Sequence, residues 1–154
     1  MTVRRADREI KDEGAIRAIM EEALVCRIGL CDGETPYVVP MNYGLGENCL
    51  YFHCAVAGRK LDMIRKNSRV CFEMDILRGI KPGAESCGWS ARYESVIGFG
   101  RAVIVETAAE KQAALDRIME HCGAKGPFSY PDETLAKTAV IRIDIEEVSG
   151  KRRE

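Results

Sequence analysis

The strongest constraint on the fold of this chain is an alternation of apolar and polar residues with a period of two. It runs through Val25–Cys31, Val70–Asp75 and Thr138–Ile145. Successive side chains of a β-strand point to opposite faces, so each segment is predicted to be a strand with one buried face. The turn signal Asp32-Gly33 ends the first of them. We therefore expect a mainly β protein whose successive strands pair antiparallel.

Further strands are predicted at Tyr37–Tyr43, at Leu50–Cys54 and as a long strand pair from Arg92 to Glu106. Pro40 interrupts the first of these, and proline cannot donate a hydrogen bond to a ladder, so that strand must lie at an edge or carry a bulge. Two glycines in the last segment indicate the bent strand of a barrel corner. Six or seven strands are predicted in total, and we expect them to close into an antiparallel barrel.

Three helices interrupt the strands. The first begins after Asp12, which can cap it, and continues to Ala23 with apolar residues at i, i+3, i+4 and i+7. The second is short, Arg59–Asn67, with Leu61 and Ile64 on its buried side. The third is Ala108–Cys122, and its apolar face is predicted from Ala114, Leu115, Ile118 and Met119.

Two segments are expected to be irregular, and nothing divides the chain. Residues 76–88 are rich in glycine, proline and small polar residues, which predicts a mobile loop. Residues 149–154 form a polar tail that we expect to fray. With 154 residues, and no linker or repeat, residues 1–154 are predicted to form a single domain.

Charge and composition exclude some classes of function. The net charge is −1, so we expect no nucleic-acid or anionic-membrane partner. The first ten residues are charged, and no apolar run approaches the length of a membrane span, so a cytosolic protein is expected. The seven cysteines are odd in number and fall largely in apolar segments, as reduced thiols do, and their spacing predicts no metal site.

The tripeptide Gly58-Arg59-Lys60 carries the clearest chemical signal. It follows a predicted strand and opens a predicted helix, so free backbone N–H groups and two cations converge where the chain turns. Such a helix start attracts phosphate, which arginine binds bidentately and lysine as a point charge. Alone, the tripeptide also fits a solvated pair on a surface helix.

The succession VVPMNYG, LYFHCAVAGRKLDMIRKNSRVCFE and GWSARYESVIGFGRA resembles the FMN-binding split-barrel superfamily that includes pyridoxamine-phosphate oxidase. Within it, the chain is most similar to the nitroimidazole-resistance (Nim-type) proteins, from about Arg4 to Gly150. The resemblance implies a homodimer of six-stranded split barrels with two FMN sites at the subunit interface. It implies cofactor contacts from Val39, Pro40, Met41, Asn42, Tyr43, His53, Cys54, Arg59, Lys60, Trp89, Tyr93 and Ser95.

The two histidines are interpreted differently. The resemblance places His53 in the active-site cavity, where an imidazole beside a flavin could pass a proton to a reduced substrate. A half-buried polar residue in a strand is the other interpretation of His53. His121 is assigned to structure, at a helix C-terminus. Trp89, Arg92 and Tyr93 fit either stacking on the ring or anchoring a core or an interface.

Two functions are therefore carried forward. The first is an FMN-dependent oxidoreductase that passes electrons from NADH or NADPH to a nitroaromatic or similar small acceptor. The second is a non-enzymatic carrier, store or sensor of flavin or haem, with His53 or a cysteine as an axial haem ligand, since relatives in the superfamily bind haem. Pyridoxamine-phosphate oxidase activity is not expected, because the chain ends at SGKRRE and lacks that enzyme's C-terminal extension.

Overall fold

The structure is a computed structural model and describes residues 4–154. The predicted helices and strands occur in the expected order, except that a single strand, Ser90–Ile104, replaces the strand pair predicted from Arg92 to Glu106. The described chain also contains two short 3-10 turns, Ala6–Arg8 and Ser86–Gly88. The elements are β1 (Glu9–Ile10), α1 (Glu13–Glu22), β2 (Cys26–Cys31), β3 (Pro36–Met41), β4 (Gly44–Leu45), β5 (Cys49–Ala55), α2 (Arg59–Lys66), β6 (Arg69–Lys81), β7 (Ser90–Ile104), α3 (Ala108–His121), α4 (Asp132–Ala136) and β8 (Thr138–Arg153).

The strands form one antiparallel sheet of eight strands, so the predicted mainly β class is confirmed. The order is β3-β2-β6-β7-β8-β5-β4, with β1 added to the far part of β8. The predicted closed barrel of six or seven strands is wrong in both respects. Among the described residues β3 and β4 end the sheet without pairing to each other. As predicted for a strand containing Pro40, β3 lies at an edge.

Both segments expected to be irregular belong instead to long strands. Residues 76–88 are not a loop throughout, because β6 continues to Lys81 and pairs with β7 as far as Lys81↔Ser90. Residues 149–154 are not a frayed tail, since β8 runs to Arg153 and Ser149 and Gly150 are buried. Backbone hydrogen bonds to neighbouring strands hold both segments. The side-chain composition of a strand does not report these bonds.

Most of the core lies on one face of the sheet, and a smaller second core packs α3 against the opposite face at Val140. Buried residues of β2 and β6 alternate as expected, whereas Val140 breaks the predicted alternation of β8 because it belongs to the second core. Asp12 caps α1 by accepting a hydrogen bond from the N–H of Ala15 at 2.7 Å. On α3, Met119 was wrongly placed in the buried face and is 39% exposed. Helix α4 was not predicted at all. Within the described residues no helix is both long and apolar enough to span a membrane.

Candidate functional site

The corner that contains Arg59 and Lys60 is formed by the start of α2 against β3 and the end of β5. Gly58 precedes α2 with φ of 135°, a conformation that L-residues with side chains rarely adopt. No side chain caps this helix. The N–H groups of Leu61 and Asp62 donate to the carbonyl of Gly58, whereas those of Arg59 and Lys60 have no acceptor within the helix. The helix N-terminus therefore keeps free donors and a partial positive charge at the corner.

Lys60 is a half-buried ammonium without an acidic partner. Its Nζ lies 2.9 Å from Sδ of Met41 on β3, and Cys54 of β5 lies close enough to interact electrostatically. Burial lowers the pKa of Lys60, and the neighbouring Cys54 thiol opposes that change. Burial likewise raises the pKa of Cys54, against the influence of Lys60. A cation in this position is stabilised by any anion that reaches it.

Arg59 lies beside Lys60 and forms no ion pair within the described residues, although it lines a cavity of about 300 Å³ together with Asp32 and Asp62. Its Cζ stands 5.0 Å from the ring centroid of Tyr37, a cation–π contact with β3. Along the described chain, neither Arg59 nor Lys60 forms an ion pair, although Asp62 in the same helix turn binds Arg65. Two cations and free backbone N–H groups therefore lie together at the start of α2.

Two unpaired strand edges flank this corner. The outer edge of β3 has no neighbour in the described sheet, and Pro40 removes one donor from that strand. On β5, strand β4 pairs only with Leu50 and Tyr51, so the edge from Phe52 onward is also open. Open edges present backbone N–H and C=O groups that a ligand can bind.

The structure brings Met41, Cys54, Arg59 and Lys60 together at the corner. Val39 lies on the same face of β3 as Met41 and is half-buried against the core, whereas Pro40 is exposed on the opposite face. Asn42 donates to the carbonyl of Leu24 at 3.2 Å. Any contact of these three with a ligand would come largely through the free edge of β3.

The side chain of Tyr43 is occupied elsewhere, in the core. Its hydroxyl donates to the carbonyls of Met20 and Ala23, at 2.6 and 2.8 Å, and its ring lies 4.2 Å from that of His121. His121 in turn bonds the carbonyl of Ala23 through Nε2 at 2.8 Å, which agrees with the structural role predicted for it. Only the backbone of Tyr43 remains available to a ligand.

The remaining predicted residues lie apart from the corner within one chain. His53 is exposed and lies on the opposite face of β5 from Cys54. Tyr93 and Ser95 flank the buried Glu94 on β7, so their side chains point to the opposite face of the sheet from Glu94. Trp89, 58% exposed, ends the 3-10 turn beside them. A single chain therefore does not bring these four side chains to Lys60.

Comparison with known families decides the assignment. The family model described as pyridoxamine 5'-phosphate oxidase matches residues 12–152, nearly the whole chain. The chain belongs to the pyridoxamine 5'-phosphate oxidase family. No curated protein matches it. The superfamily resemblance inferred from the sequence is confirmed.

Solved structures agree with this family. A candidate 5-nitroimidazole antibiotic resistance protein from Bacteroides thetaiotaomicron is 35% identical, over 93% of this chain and 85% of that one, with a TM-score of 0.82. Two structures share the fold at lower identity. The flavocytochrome Anf3 from Azotobacter vinelandii is 20% identical over 99% of this chain and 72% of its own, with a TM-score of 0.86. A FAD and heme binding protein from Mycobacterium smegmatis is 18% identical over 96% and 74%, with a TM-score of 0.81.

Sequence reasoning missed two residues that shape this family member. Tyr37 supports Arg59, and it could have been found from the alternation of Tyr37, Val39 and Met41 along β3. Glu94 lies in the first third of the long strand β7 and is buried beneath two exposed arginines that bind it. No local pattern marks it, because those partners come from β6 and β8.

Proposed function

We propose that this protein binds flavin mononucleotide and uses it to reduce nitroaromatic or similar small molecules with electrons from NADH or NADPH. The observation that carries the proposal is the pair of cations Arg59 and Lys60, which meet the free N–H groups of α2 without an acidic partner. A phosphate monoester supplies the charge and the acceptor oxygens that this corner lacks. Family membership and the flavin-binding proteins that share the fold support flavin as the phosphate's carrier.

Each group at the corner has a task in this proposal. Arg59 leaves the ring of Tyr37 to bind two phosphate oxygens, and Lys60 contributes a point charge from a site with little water. The open edge of β3 offers backbone groups to the ring system. Flavin itself supplies the redox chemistry, and the protein orients it and limits the access of water.

A phosphate-binding test uses two pairs of the same residue types at opposite ends of α2. FMN is titrated into the wild type, into R59A/K60A and into the control R65A/K66A, and flavin fluorescence is followed. Two lost charge-assisted hydrogen bonds predict a fall in affinity of about a hundredfold for R59A/K60A. Arg65 and Lys66 already pair with Asp62 and Asp32, so the control should change affinity less than about threefold. Equal losses in both variants would contradict the corner as the phosphate site.

A reductase is separated from a passive binder by anaerobic reduction. Loss of the oxidised-flavin absorption after NADH or NADPH, and its return on adding a nitroaromatic, supports the enzyme. Flavin that binds but stays oxidised supports a carrier or sensor.

His53→Gln tests the predicted proton donor. The exposed imidazole of His53 would have to approach the ligand around the open edge of β5. A pH profile of turnover unchanged by that substitution removes the role.

Haem is the second cofactor considered, because the exposed imidazole of His53 has no hydrogen-bond partner within the described residues and two proteins of the same fold carry haem in their names. Flavocytochrome and FAD–heme proteins share only the fold with this chain. Haem titration of the wild type and His53→Ala is decisive here. A Soret band that His53→Ala abolishes supports haem ligation, and no haem uptake by the wild type removes it.

We further propose a homodimer formed through the face of the sheet opposite the main core. Val38, Gly29, Cys71 and Phe99 stand side by side across four strands, and Val38 is 62% exposed. A second copy on this apolar row would bring Tyr93 and Ser95, which lie on the same face, and the exposed Trp89 near them toward the cofactor site of its partner. Such a face is typical of a subunit interface.

The oligomer is tested by sedimentation. The wild type is expected to sediment with a mass of about twice the 17.1 kDa of one chain. V38E, which places a charge in the interface, is expected to sediment as a monomer. Met119→Glu, which places the same charge at an exposed methionine of α3, is the control and should remain a dimer. A wild type that sediments as one chain removes the proposed dimer.

A further inference from the structure

A second group of cations lies at the end of the sheet where β6, β7 and β8 meet, and it is organised around a buried acid. Glu94 is 8% exposed and accepts hydrogen bonds from Nε of Arg78 at 2.8 Å and Nε of Arg152 at 2.6 Å. Burial alone raises the pKa of Glu94, but the two arginines outweigh it and the net pKa is lowered. Glu94 therefore stays ionised and holds both guanidinium groups in place.

The backbone positions two of the arginines. Register shifts between Leu77 and Gly79, which leaves Arg78 as the extra residue of a bulge. Gly79 has φ of 142°, and a Cβ built there would lie 3.0 Å from Nη2 of Arg92. The glycine thus supplies the bulge conformation and leaves room for Arg92 to lie across it.

These residues surround a cavity of about 360 Å³ with an excess of positive charge. Four arginines line it, with Glu94, Glu154 and the ring of Tyr93. Glu22 binds Arg78 from outside the cavity. In the described part of the chain Arg92 and Arg153 form no ion pair or hydrogen bond, and the two amino groups of Arg152 are equally unengaged.

The neighbouring cleft shows that this excess is not general to the region. A volume of about 530 Å³ on the other side of Arg152 and Arg153 is lined by four acids and four bases, so its charges balance. The whole chain carries a net charge of −1. Of these two neighbouring cavities, only the one that contains Arg92 is lined by an excess of positive charge.

We infer that this arginine cavity is a second anion site, separate from the corner of Arg59 and Lys60, which binds a phosphate-type dianion. The inference does not require flavin binding, although Tyr93 lines this cavity and is also brought toward the partner's cofactor site in the proposed dimer. Planar guanidinium groups match phosphate oxygens in pairs, and a cavity of this volume has the size of a small-molecule site. The bulge, the glycine and the buried Glu94 orient Arg78, Arg92 and Arg152 before a ligand arrives, which reduces the ordering cost of binding.

The test uses inorganic pyrophosphate as the probe and begins from the full chain with R59A/K60A, so that the corner cannot bind it. Calorimetric titration is expected to show saturable binding to R59A/K60A. Adding R92A/R153A should weaken that binding at least about tenfold. Adding R69A/R101A instead, which removes two arginines that share Glu146 at the other end of the same strands, should leave it unchanged. R92K/R153K should bind more weakly than the arginine form, since lysine lacks the planar fork.

Three results would overturn the inference. R59A/K60A shows no saturable pyrophosphate binding, or the R69A/R101A control loses as much affinity as R92A/R153A. The third is that R92A/R153A, with Arg59 and Lys60 intact, loses FMN affinity to the same degree as R59A/K60A, because the arginines would then belong to the flavin site. If the wild type binds no FMN, only the proposed function fails, and the pyrophosphate titrations still decide this site.

Discussion

The corner at the start of α2 and the cluster around Glu94 use the same cations in opposite ways. At the corner, Arg59 and Lys60 contact an aromatic ring and a thioether and have no acid. Around Glu94, a single buried carboxylate binds two arginines, and Glu22 binds one of them as well. A cation that is paired with a carboxylate of the same chain stabilises the fold. A partly buried cation without such a partner lowers the stability of the fold until an anion binds. The two regions should therefore respond oppositely to substitution.

The largest expected effect is the loss of stability in E94A. Removing one partner of a fully buried pair costs roughly 3–5 kcal/mol. Arg78 and Arg152 are 41% and 43% exposed, which screens the loss to about 2 kcal/mol. Thermal unfolding should then move down by roughly 6 °C. An unchanged Tm for E94A would show that the acid does not stabilise the sheet, and the contrast with the corner would fail.

The carboxylate of Glu94 should also make the free energy of unfolding depend on pH. Its pKa in the folded protein is below the ordinary 4.5, so its contribution is complete above that value and is lost as pH falls through the folded pKa. The stability difference between the wild type and E94Q should be largest at neutral pH and shrink by about 1 kcal/mol or more in acid. Urea unfolding of both proteins across this range measures it. A difference that is constant with pH would contradict the lowered pKa.

At the corner, K60M should raise stability while it weakens phosphate binding. Methionine fills similar space without a half-buried charge, so we expect a gain of about 0.5 kcal/mol in unfolding free energy. FMN affinity should fall about tenfold with the lost ion pair. K66M is the matched control, because Lys66 is exposed and lies 3.9 Å from Asp32. A loss of stability in K60M would mean that the ammonium already stabilises the fold.

The smallest effect is expected at Tyr37, which only supports Arg59. Y37L removes the ring beneath the guanidinium, at a cost of about 0.5 kcal/mol in stability. Y37F keeps the ring and should match the wild type in both stability and FMN affinity. If Y37F and Y37L behave alike, the contact of 5.0 Å has no energetic weight.

Much of the fold followed from local patterns. The period of two predicted the buried faces of β2, β6 and β8, and the cap at Asp12 predicted the start of α1. The errors share one cause. Residues 76–88 and 149–154 look irregular by composition, yet most of them pair with β7 because a neighbouring strand supplies their hydrogen bonds. Local composition does not contain that information.

The candidate site divides in the same way. Gly58-Arg59-Lys60 was recognisable because a helix start with two cations is a local feature. His53 and Cys54 are adjacent in a predicted strand, so the local alternation already places them on opposite faces, whereas the contact of Cys54 with Lys60 depends on the tertiary structure. The roles of His53, Trp89, Tyr93 and Ser95 remain predictions.

By itself the sequence determined the strand faces, the first helix and the paired cations at the start of α2, since each depends on residues close together in the chain. Tertiary structure alone decided which cations have acids. Lys60 meets Met41 and Cys54, from two other strands, while Glu94 meets Arg78 and Arg152 across the β6–β7–β8 ladder. Charge partners are set by distance in space, and the register of distant strands fixes that distance.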